Sequence, residues 1–179
     1  MKLISILLVL IFLSSCTKDK VQPPVNTSFE GDELPAQESW NSTVFFTDSG
    51  KTRAILNAGH LRVYAHSKET LLDSGVQVDF YNMHEIKTTT LTSKRGKVDE
   101  NTNNLYAIDS VVTVNDSGIV VTTEEMMWRN EDKKIISDKF VTIVSPKEKI
   151  QGYGFESDQQ LQNYVIYNIT YITRTDTLQ

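Results

Sequence analysis

The sequence predicts an all-β domain, and three features of the chain indicate that fold class. Apolar and polar residues alternate with period two through most of the chain after residue 40, which is typical of half-buried strands. Turn residues such as Asp48-Ser49-Gly50 interrupt the alternation at short intervals. The strand segments also recur at spacings of 29 to 36 residues. A chain of 179 residues is large enough for one such domain with a real core.

Residues 1–15 form a predicted signal peptide that ends in a lipidation signal. Lys2 precedes an apolar run over residues 3–13, and Leu13-Ser14-Ser15-Cys16 follows the pattern at which a bacterial lipoprotein is cleaved and acylated on its cysteine. A membrane-spanning helix needs roughly 20 apolar residues, so this run is too short for one. An ordinary signal peptide stays open as the alternative, although it would leave Cys16 without a disulfide partner.

Residues 16–39 are predicted to be the lipidated cysteine and a flexible tether, followed by a β-domain over residues 40–179. The tether contains three of the four prolines of the chain and few large apolar side chains. Such a composition cannot bury enough apolar surface to form a packed core.

The first predicted strands end at recognisable turns. Residues 43–47 run into Asp48-Ser49-Gly50, and residues 51–57 run into Ala58-Gly59. Residues 76–80 show the clearest alternation, with valines and a phenylalanine separated by glutamine and aspartate. Threonine, valine, isoleucine and aromatic residues dominate these runs, as expected for a pleated surface.

Two sets of landmarks indicate a structural repeat. Ile55, Leu91, Val121 and Ile150 each open a unit, at spacings of 36, 30 and 29 residues. A unit of two or three strands cannot bury its own apolar face, so successive units are predicted to stack. The second strand of each unit lies at residues 76–78, 112–114 and 141–143, so it recurs at offsets of 36 and 29 residues. An aspartate precedes each of these strands by three residues; the three are Asp73, Asp109 and Asp138.

Strand parity predicts which side chains face the interior. Stacked antiparallel repeats allow a β-sandwich or jelly roll, or a closed barrel. The interior is then either a dry core or a groove that admits an acyl chain, and the pattern alone favours the dry core. The predicted interior residues are Val76, Val78, Phe80, Val112, Val114, Val141 and Ile143.

Catalytic, metal and nucleic-acid sites are not indicated. The net charge of −5 becomes −6 without Lys2, and no cluster of Lys and Arg exceeds two residues, so nucleic acid is not expected as a partner. His60, His66 and His84 are predicted to lie in or beside turns of different strands, without a zinc or nucleophile spacing. We therefore expect no enzyme activity, no metal and no cofactor.

Several short motifs are spread along the sequence from about residue 38 to about residue 167. The motifs are Glu38-Ser39-Trp40, Phe46-Thr47-Asp48-Ser49-Gly50, Ala58-Gly59-His60, Gly75-Val76-Gln77-Val78-Asp79-Phe80, Leu91-Thr92-Ser93, Val98-Asp99, Thr102-Asn103, Thr123-Glu124, Trp128, Ser137-Asp138-Lys139-Phe140-Val141-Thr142-Ile143 and Gly152-Tyr153-Gly154-Phe155-Glu156-Ser157-Asp158. Together they resemble the LptC family of periplasmic lipopolysaccharide (LPS) export proteins, and the last motif is the most specific part of the resemblance.

The resemblance implies a twisted, open β-jellyroll that moves LPS across the periplasm. In that family the domain receives LPS from an inner-membrane ABC transporter and passes it to a related periplasmic jellyroll protein. The interior would then be a channel for the acyl chains of lipid A instead of a dry core. An edge strand at Tyr164, Val165, Ile166 and Tyr167 would extend the sheet into the next jellyroll by β-augmentation.

One feature departs from the family, and two other functions stay open. The better-known members are held by an N-terminal transmembrane helix, whereas this sequence predicts a lipid on Cys16 that anchors a periplasmic domain to the inner membrane. A glycan-binding module would need exposed aromatic platforms, and Trp40 and Trp128 are few and far apart for that role. A structural adaptor of the envelope that carries no lipid is the other alternative.

Overall fold

Every regular element of the computed structural model, which describes residues 34–174, is a β-strand. All the strand pairs are antiparallel and belong to one sheet, so the all-β prediction is confirmed. The ten strands are β1 (Gln37–Asp48), β2 (Lys51–Tyr64), β3 (Glu69–Tyr81), β4 (Lys87–Ser93), β5 (Arg95–Asp99), β6 (Asn104–Asn115), β7 (Val120–Arg129), β8 (Lys134–Val144), β9 (Glu148–Asp158) and β10 (Tyr164–Arg174).

The strands follow one another through the sheet in chain order. The hydrogen-bonded order is β1-β2-β3-β4-β6-β7-β8-β9-β10, and β5 also pairs with β3 and β6. Strands β4 and β5 therefore share one position and are interrupted only at Lys94. The strands β1 and β10 end the order, so each has a neighbouring strand on one side only within residues 34–174. Strand β1 begins at Gln37, three residues before the predicted start of the domain.

A line of bulges crosses the middle of the sheet. The register shifts between Ala58 and His60 in β2, and similar shifts occur at Asp109 in β6 and after Ser137 in β8. Extra residues of this kind bend a strand and increase its twist. Because the bends align, each long strand contributes to two layers that face each other. We call this feature the bulge line; its positive-φ residues include Asn41, Ser74, Gly75, Asp109, Ser110 and Gly154.

The core fills the space between the two layers. Trp128 of one layer is 1% exposed, and its ring centroid lies 5.5 Å from that of Phe46 and 5.6 Å from that of Phe80 in the other layer. Burying side chains of this size stabilises the fold by about 1.5–3 kcal/mol each. One inward row of paired residues runs across all the strands of one layer: Val44, Leu56, Val78, Leu91, Thr113, Val121, Ile143, Ile150 and Ile172.

The turn between β9 and β10 closes one end of the interior. We call residues 159–163 the closing turn. Thr89 Oγ1 donates a hydrogen bond of 2.6 Å to the carbonyl oxygen of Gln159, and Asn115 Nδ2 donates one of 2.8 Å to that of Gln160. Leu161 is fully buried at this contact. The closing turn therefore ties the β9–β10 end of one layer to strands β4 and β6 of the other.

The predicted inward positions in β6 are wrong by one residue. Val111 and Thr113 are buried, whereas Val112 is half-buried and Val114 is 40% exposed on the outer face. The cause is the bulge line, where β3 carries Ser74-Gly75 and β6 carries Asp109-Ser110 as the two positive-φ residues. Equivalent positions of β3 and β6 are therefore 35 residues apart. The prediction used 36, the spacing of Asp73 and Asp109, and so placed every side chain of this part of β6 on the wrong face.

Candidate functional site

An apolar groove opens on the inner face of the sheet beside the first edge strand. Its volume is about 510 Å³, within the range of roughly 300–1,000 Å³ typical of small-molecule sites. We call it the inner groove. Its lining comes from β1, β2, β3 and β5 and includes Ser39, Val44, Phe46, Leu56, Leu61, Val63, Thr70, Leu72 and Val98.

The groove exists because β1 places small or half-buried side chains on its inner face. Ser39 and Ser42 point inward and share a hydrogen bond of 2.6 Å between their hydroxyl groups. Val44 and Phe46 also point inward but stay half-buried, since no strand lies beyond β1 in the described residues. The small serine side chains leave unfilled space beside β1. In the middle of the sheet, leucine and tryptophan side chains fill the corresponding space.

Aromatic side chains form the inner wall of the groove. Phe46 lines the groove and meets the edge of the buried Trp128 ring, with 81° between the two ring planes. Phe80 contacts the same tryptophan and is fully buried. The groove therefore ends against a packed core and does not continue through the middle of the interior.

The residues predicted from strand parity lie away from this groove. Val76, Val78, Phe80, Val141 and Ile143 are at most 3% exposed and belong to the hydrophobic core. Neither they nor the outward-facing pair in β6 line the groove. Contact between lipid and the five buried residues stays a prediction, and it requires the two layers to separate.

The predicted partner strand is the last strand of the sheet. In β10, Tyr164 and Ile166 pack against the core, whereas Val165 and Tyr167 are 54% and 64% exposed. Burial and the nearby Glu148 carboxylate raise the pKa of Tyr164, whose hydroxyl lies 3.4 Å from Glu148 Oε1. One long side of β10 is therefore open to a further strand within the part of the chain that the structure describes.

The comparison with protein families identifies the group to which this sheet belongs. A family model described as "Lipopolysaccharide-assembly, LptC-related" matches residues 3–172. The chain belongs to the LptC family. This confirms the resemblance seen in the motifs, and the single all-β sheet agrees with the LptC jellyroll. No individually curated protein gives a significant match.

Membership of the LptC family supplies a general function. The family takes part in LPS transport, is periplasmic and associated with the inner membrane, and is a transport component, not an enzyme. No helix within residues 34–174 is long and apolar enough to cross a membrane. Cys16, the predicted signal peptide and most of the predicted tether lie outside the described residues.

Asp73 and Asp109, two of the three aspartates that repeat along this LptC-family sequence, form ion pairs at the bulge line. The third, Asp138, has a side chain that is 82% exposed and lies 3.3 Å from the adjacent Lys139. Asp73 pairs with Arg62, and Asp109 accepts a hydrogen bond of 2.7 Å from Arg95. These hydrogen bonds raise the pKa of both guanidinium groups. Both pairs are partly exposed, so solvent screens them and their contribution to stability is small. Asp73 and Asp109 are therefore structural residues at bends and not members of a catalytic group.

The histidines do not form a metal site in the described part of this LptC-family domain. No group of three His, Cys, Asp or Glu side chains in residues 34–174 is placed to hold a metal ion. The prediction that all three histidines lie in or beside turns is wrong for His60, which lies inside β2. Its ring stacks on Trp40 at 5.1 Å, and its Nε2 lies 2.7 Å from Glu38 Oε1.

Sequence reasoning missed the residues that line the inner groove. Residues 43–47 were predicted as a strand, but their three consecutive apolar residues do not indicate that Val44 and Phe46 face inward. Their position at an edge was not visible in the sequence, because it depends on the order of the strands. A groove at the edge therefore had no sequence signature of its own.

Proposed function

We propose that this protein carries LPS across the periplasm, receiving it from an inner-membrane ABC transporter and passing it to a partner jellyroll protein. The observation that carries the proposal is the inner groove beside β1, with its apolar lining and its volume of about 510 Å³. The acyl chains of lipid A favour an apolar surface shielded from water, while the sugar and phosphate head stays in solvent.

The two edges of the sheet suit the two ends of this transfer. The inner groove lies at the β1 edge, where an incoming acyl chain reaches Val44 and Phe46 first. At the other edge, β10 exposes apolar side chains on both faces, which favours pairing with a strand of the partner by β-augmentation. These side chains are Val165, Tyr167, Ile169, Tyr171 and Ile172, each about half exposed.

The proposal includes a lipid anchor at Cys16 in place of the family's membrane helix. Each buried CH₂ of an acyl chain contributes about 0.8 kcal/mol to membrane attachment, so several chains hold the protein at the bilayer. The 21 residues from Cys16 to the start of β1 at Gln37 span at most about 70 Å. That length lets the domain stand beside a transporter while its N-terminus stays in the inner membrane.

Site-specific photocrosslinking in cells tests the proposal. A photoreactive residue in place of Val44 is expected to crosslink to LPS, because Val44 lines the inner groove. The neighbouring Phe45 is 61% exposed and points to the opposite face, so the same substitution there is the matched control. Crosslinks from Val44 to protein only, or equal LPS labelling at both positions, would contradict the proposal. The first of these results would favour a structural adaptor.

A further inference from the structure

A second groove lies on the outer face of the sheet, where the bulge line crosses β1 to β4. Its volume is about 480 Å³. We call it the outer groove. Asn57, Gln77 and Thr92 on its walls face away from the inner groove, because they alternate with the buried residues of the same strands. Ser42 lines both grooves, and the buried Ala58 and Val76 also reach the outer one. The residues that matter to its chemistry are Asn41, Asn57, Gly59, Gly75, Gln77 and Thr92.

Two glycines form the floor of the outer groove. A Cβ atom on Gly59 would lie 2.4 Å from the carbonyl oxygen of Ser74, so only glycine allows these strands to approach so closely. Gly75 has a φ of +89°, which a residue with a side chain rarely adopts. Ser74 fills the space beside Gly59, whereas nothing lies within 4 Å of a Cβ atom built on Gly75, so a ligand is able to approach the peptide groups at Gly75.

The walls of the outer groove carry uncharged hydrogen-bonding groups. Asn57 accepts a hydrogen bond of 2.8 Å from Thr43, and Gln77 donates one of 3.1 Å to Asp79, so both amides are held in place. Amide and hydroxyl groups both donate and accept hydrogen bonds. A surface of this kind suits a neutral polar ligand, because none of the residues lining it carries a charge.

A rigid aromatic platform stands next to the groove. Trp40 is 65% exposed, and its ring lies nearly parallel to that of His60, with 13° between their planes. Glu38 fixes the histidine through its contact with Nε2. Trp40 precedes the lining residue Asn41 in the chain, and His60 follows Gly59. The sequence suggested no aromatic platform, because the pairing of β1 with β2 creates it.

We infer that the outer groove binds a neutral glycan chain that carries acetamido groups. A sugar ring has an apolar face of C–H groups, which stacks on an aromatic ring, and a rim of hydroxyls, which needs donors and acceptors. Trp40 supplies the aromatic ring, and the walls of the groove supply the hydrogen-bond donors and acceptors. The three amide side chains match the amide of an acetamido group; they are Asn41, Asn57 and Gln77.

On the outer face of the sheet the groove continues across the strands, from β4 towards β7, so an extended glycan chain has room to lie along it. Thr92 pairs with Val112, and Val112 pairs with Thr122 in β7. A further cavity of about 390 Å³ lies there, and its lining includes Thr122, Thr142, Phe140 and the carboxylate residue Glu124. From β1 to β8 the bulge line crosses seven strand positions, with β4 and β5 counted as one. The six steps between them, at about 4.8 Å each, give a length of about 29 Å.

Calorimetric titration of the full chain with tetra-N-acetylchitotetraose tests the inference, in a detergent that contains no sugar. We expect saturable binding that weakens at least about tenfold in Trp40→Ala, which corresponds to about 1.4 kcal/mol. Tyr167→Ala removes an aromatic ring that is equally exposed, 64%, in β10, and should leave the affinity unchanged. Maltotetraose has no acetamido groups and should bind at least about tenfold more weakly than the acetylated chain.

Three results would overturn the inference. These are the absence of saturable binding, an unchanged affinity in Trp40→Ala, and equal affinity for maltotetraose. Gln77→Leu gives an independent check at an exposed position, where the fold is not at risk, and should also weaken binding. LPS crosslinking at Val44 reports on the opposite face of the sheet, so it is expected to persist in these variants and separates the two proposals.

Discussion

The two edge strands of the sheet present different surfaces, although each lacks a neighbour on one side in residues 34–174. Strand β1 turns small and half-buried side chains inward, and a groove opens beneath it. Strand β10 instead carries large apolar side chains that are about half exposed on both of its faces. The same antiparallel pairing therefore ends in a cavity at one edge and in an apolar strand at the other.

This difference indicates two kinds of recognition within one sheet. A cavity selects a ligand by volume and polarity, and its walls must stay in place when the ligand is absent. An exposed apolar edge selects another strand, since backbone hydrogen bonds give affinity and alternate side chains give specificity. The aromatic wall beside β1 and the open side of β10 are the features whose alteration should separate the two functions.

The largest expected effect is the loss of the aromatic wall behind the β1 groove. Trp128→Ala removes a side chain that is 1% exposed and touches both Phe46 and Phe80, so it should lower the free energy of unfolding by about 3–5 kcal/mol. Urea unfolding followed by circular dichroism measures the change. Trp40→Ala removes an exposed tryptophan and should stay within about 0.5 kcal/mol of the parent. Equal losses would contradict the packed wall.

A pair of glycines compares the rigidity of an inner strand, β3, with that of the edge strand β10. A Cβ atom would lie 2.4 Å from the carbonyl oxygen of Ser74 in Gly59→Ala, and 2.4 Å from that of Asn168 in Gly152→Ala. Ser74 belongs to β3, which strands hold on both sides, whereas Asn168 belongs to β10 and is free to move outward. Overpacking costs about 1–3 kcal/mol, and we expect the upper end for Gly59→Ala and the lower end for Gly152→Ala. A reversed order in thermal unfolding would show that β10 is the more tightly held strand.

A charge at the β10 edge should impair transfer without harming the fold. Ile172 ends the inward row and is 51% exposed, so Ile172→Lys should change the free energy of unfolding by no more than about 0.5 kcal/mol. In the proposed transport the acyl chains follow the inward row while the two layers are apart. We therefore expect release of LPS to a partner jellyroll to slow by about tenfold, because the lysine places a charge at the β10 end of that row. Thr173→Lys puts the same charge on the opposite face and is the matched control. Equal rates in the two variants would show that the inward row is not the path.

The smallest expected effect is an alkaline loss of stability at the first residue of β10. Burial raises the pKa of Tyr164 in the folded protein, so its contribution is complete below the unfolded value of about 10 and is lost as the pH rises through the folded value. The stability difference between the parent and Tyr164→Phe should therefore shift against the parent as the pH rises above about 10. Urea midpoints at several pH values measure it, with Tyr153→Phe in β9 as the control. A constant difference would mean that Tyr164 is more open to solvent than the structure indicates.

The fold was predictable because its signals are local. Alternation in residues 76–80 identified β3, and the long motif over residues 152–158 led to the correct family. The inward face of β6 was not predictable, since the bulge at Asp109-Ser110 shifts the alignment with β3 by one residue. Such a bulge contains ordinary residues, and the sequence does not distinguish it from a straight strand.

The candidate sites were less predictable because they depend on strand order and on unfilled space. The stacking of Trp40 on His60 joins residues 20 positions apart and requires the register of β1 with β2. The inner groove is the space that the side chains of β1 leave unfilled, and no single residue type in the sequence predicts such a space. Lipid on Cys16 stays a prediction, since that residue lies outside the described residues.

The closing turn also has a consequence for the order in which the protein folds. Each strand pairs with the next strand along the chain or, in the case of β3 with β5 and β4 with β6, with the one after it. The sheet can therefore assemble from local pairings at a small cost in loop entropy. The hydrogen bond from Thr89 to Gln159 instead joins residues 70 positions apart. We therefore expect the two layers to meet late, after the ladder has formed. Substitutions in the closing turn should then speed unfolding and leave the folding rate almost unchanged.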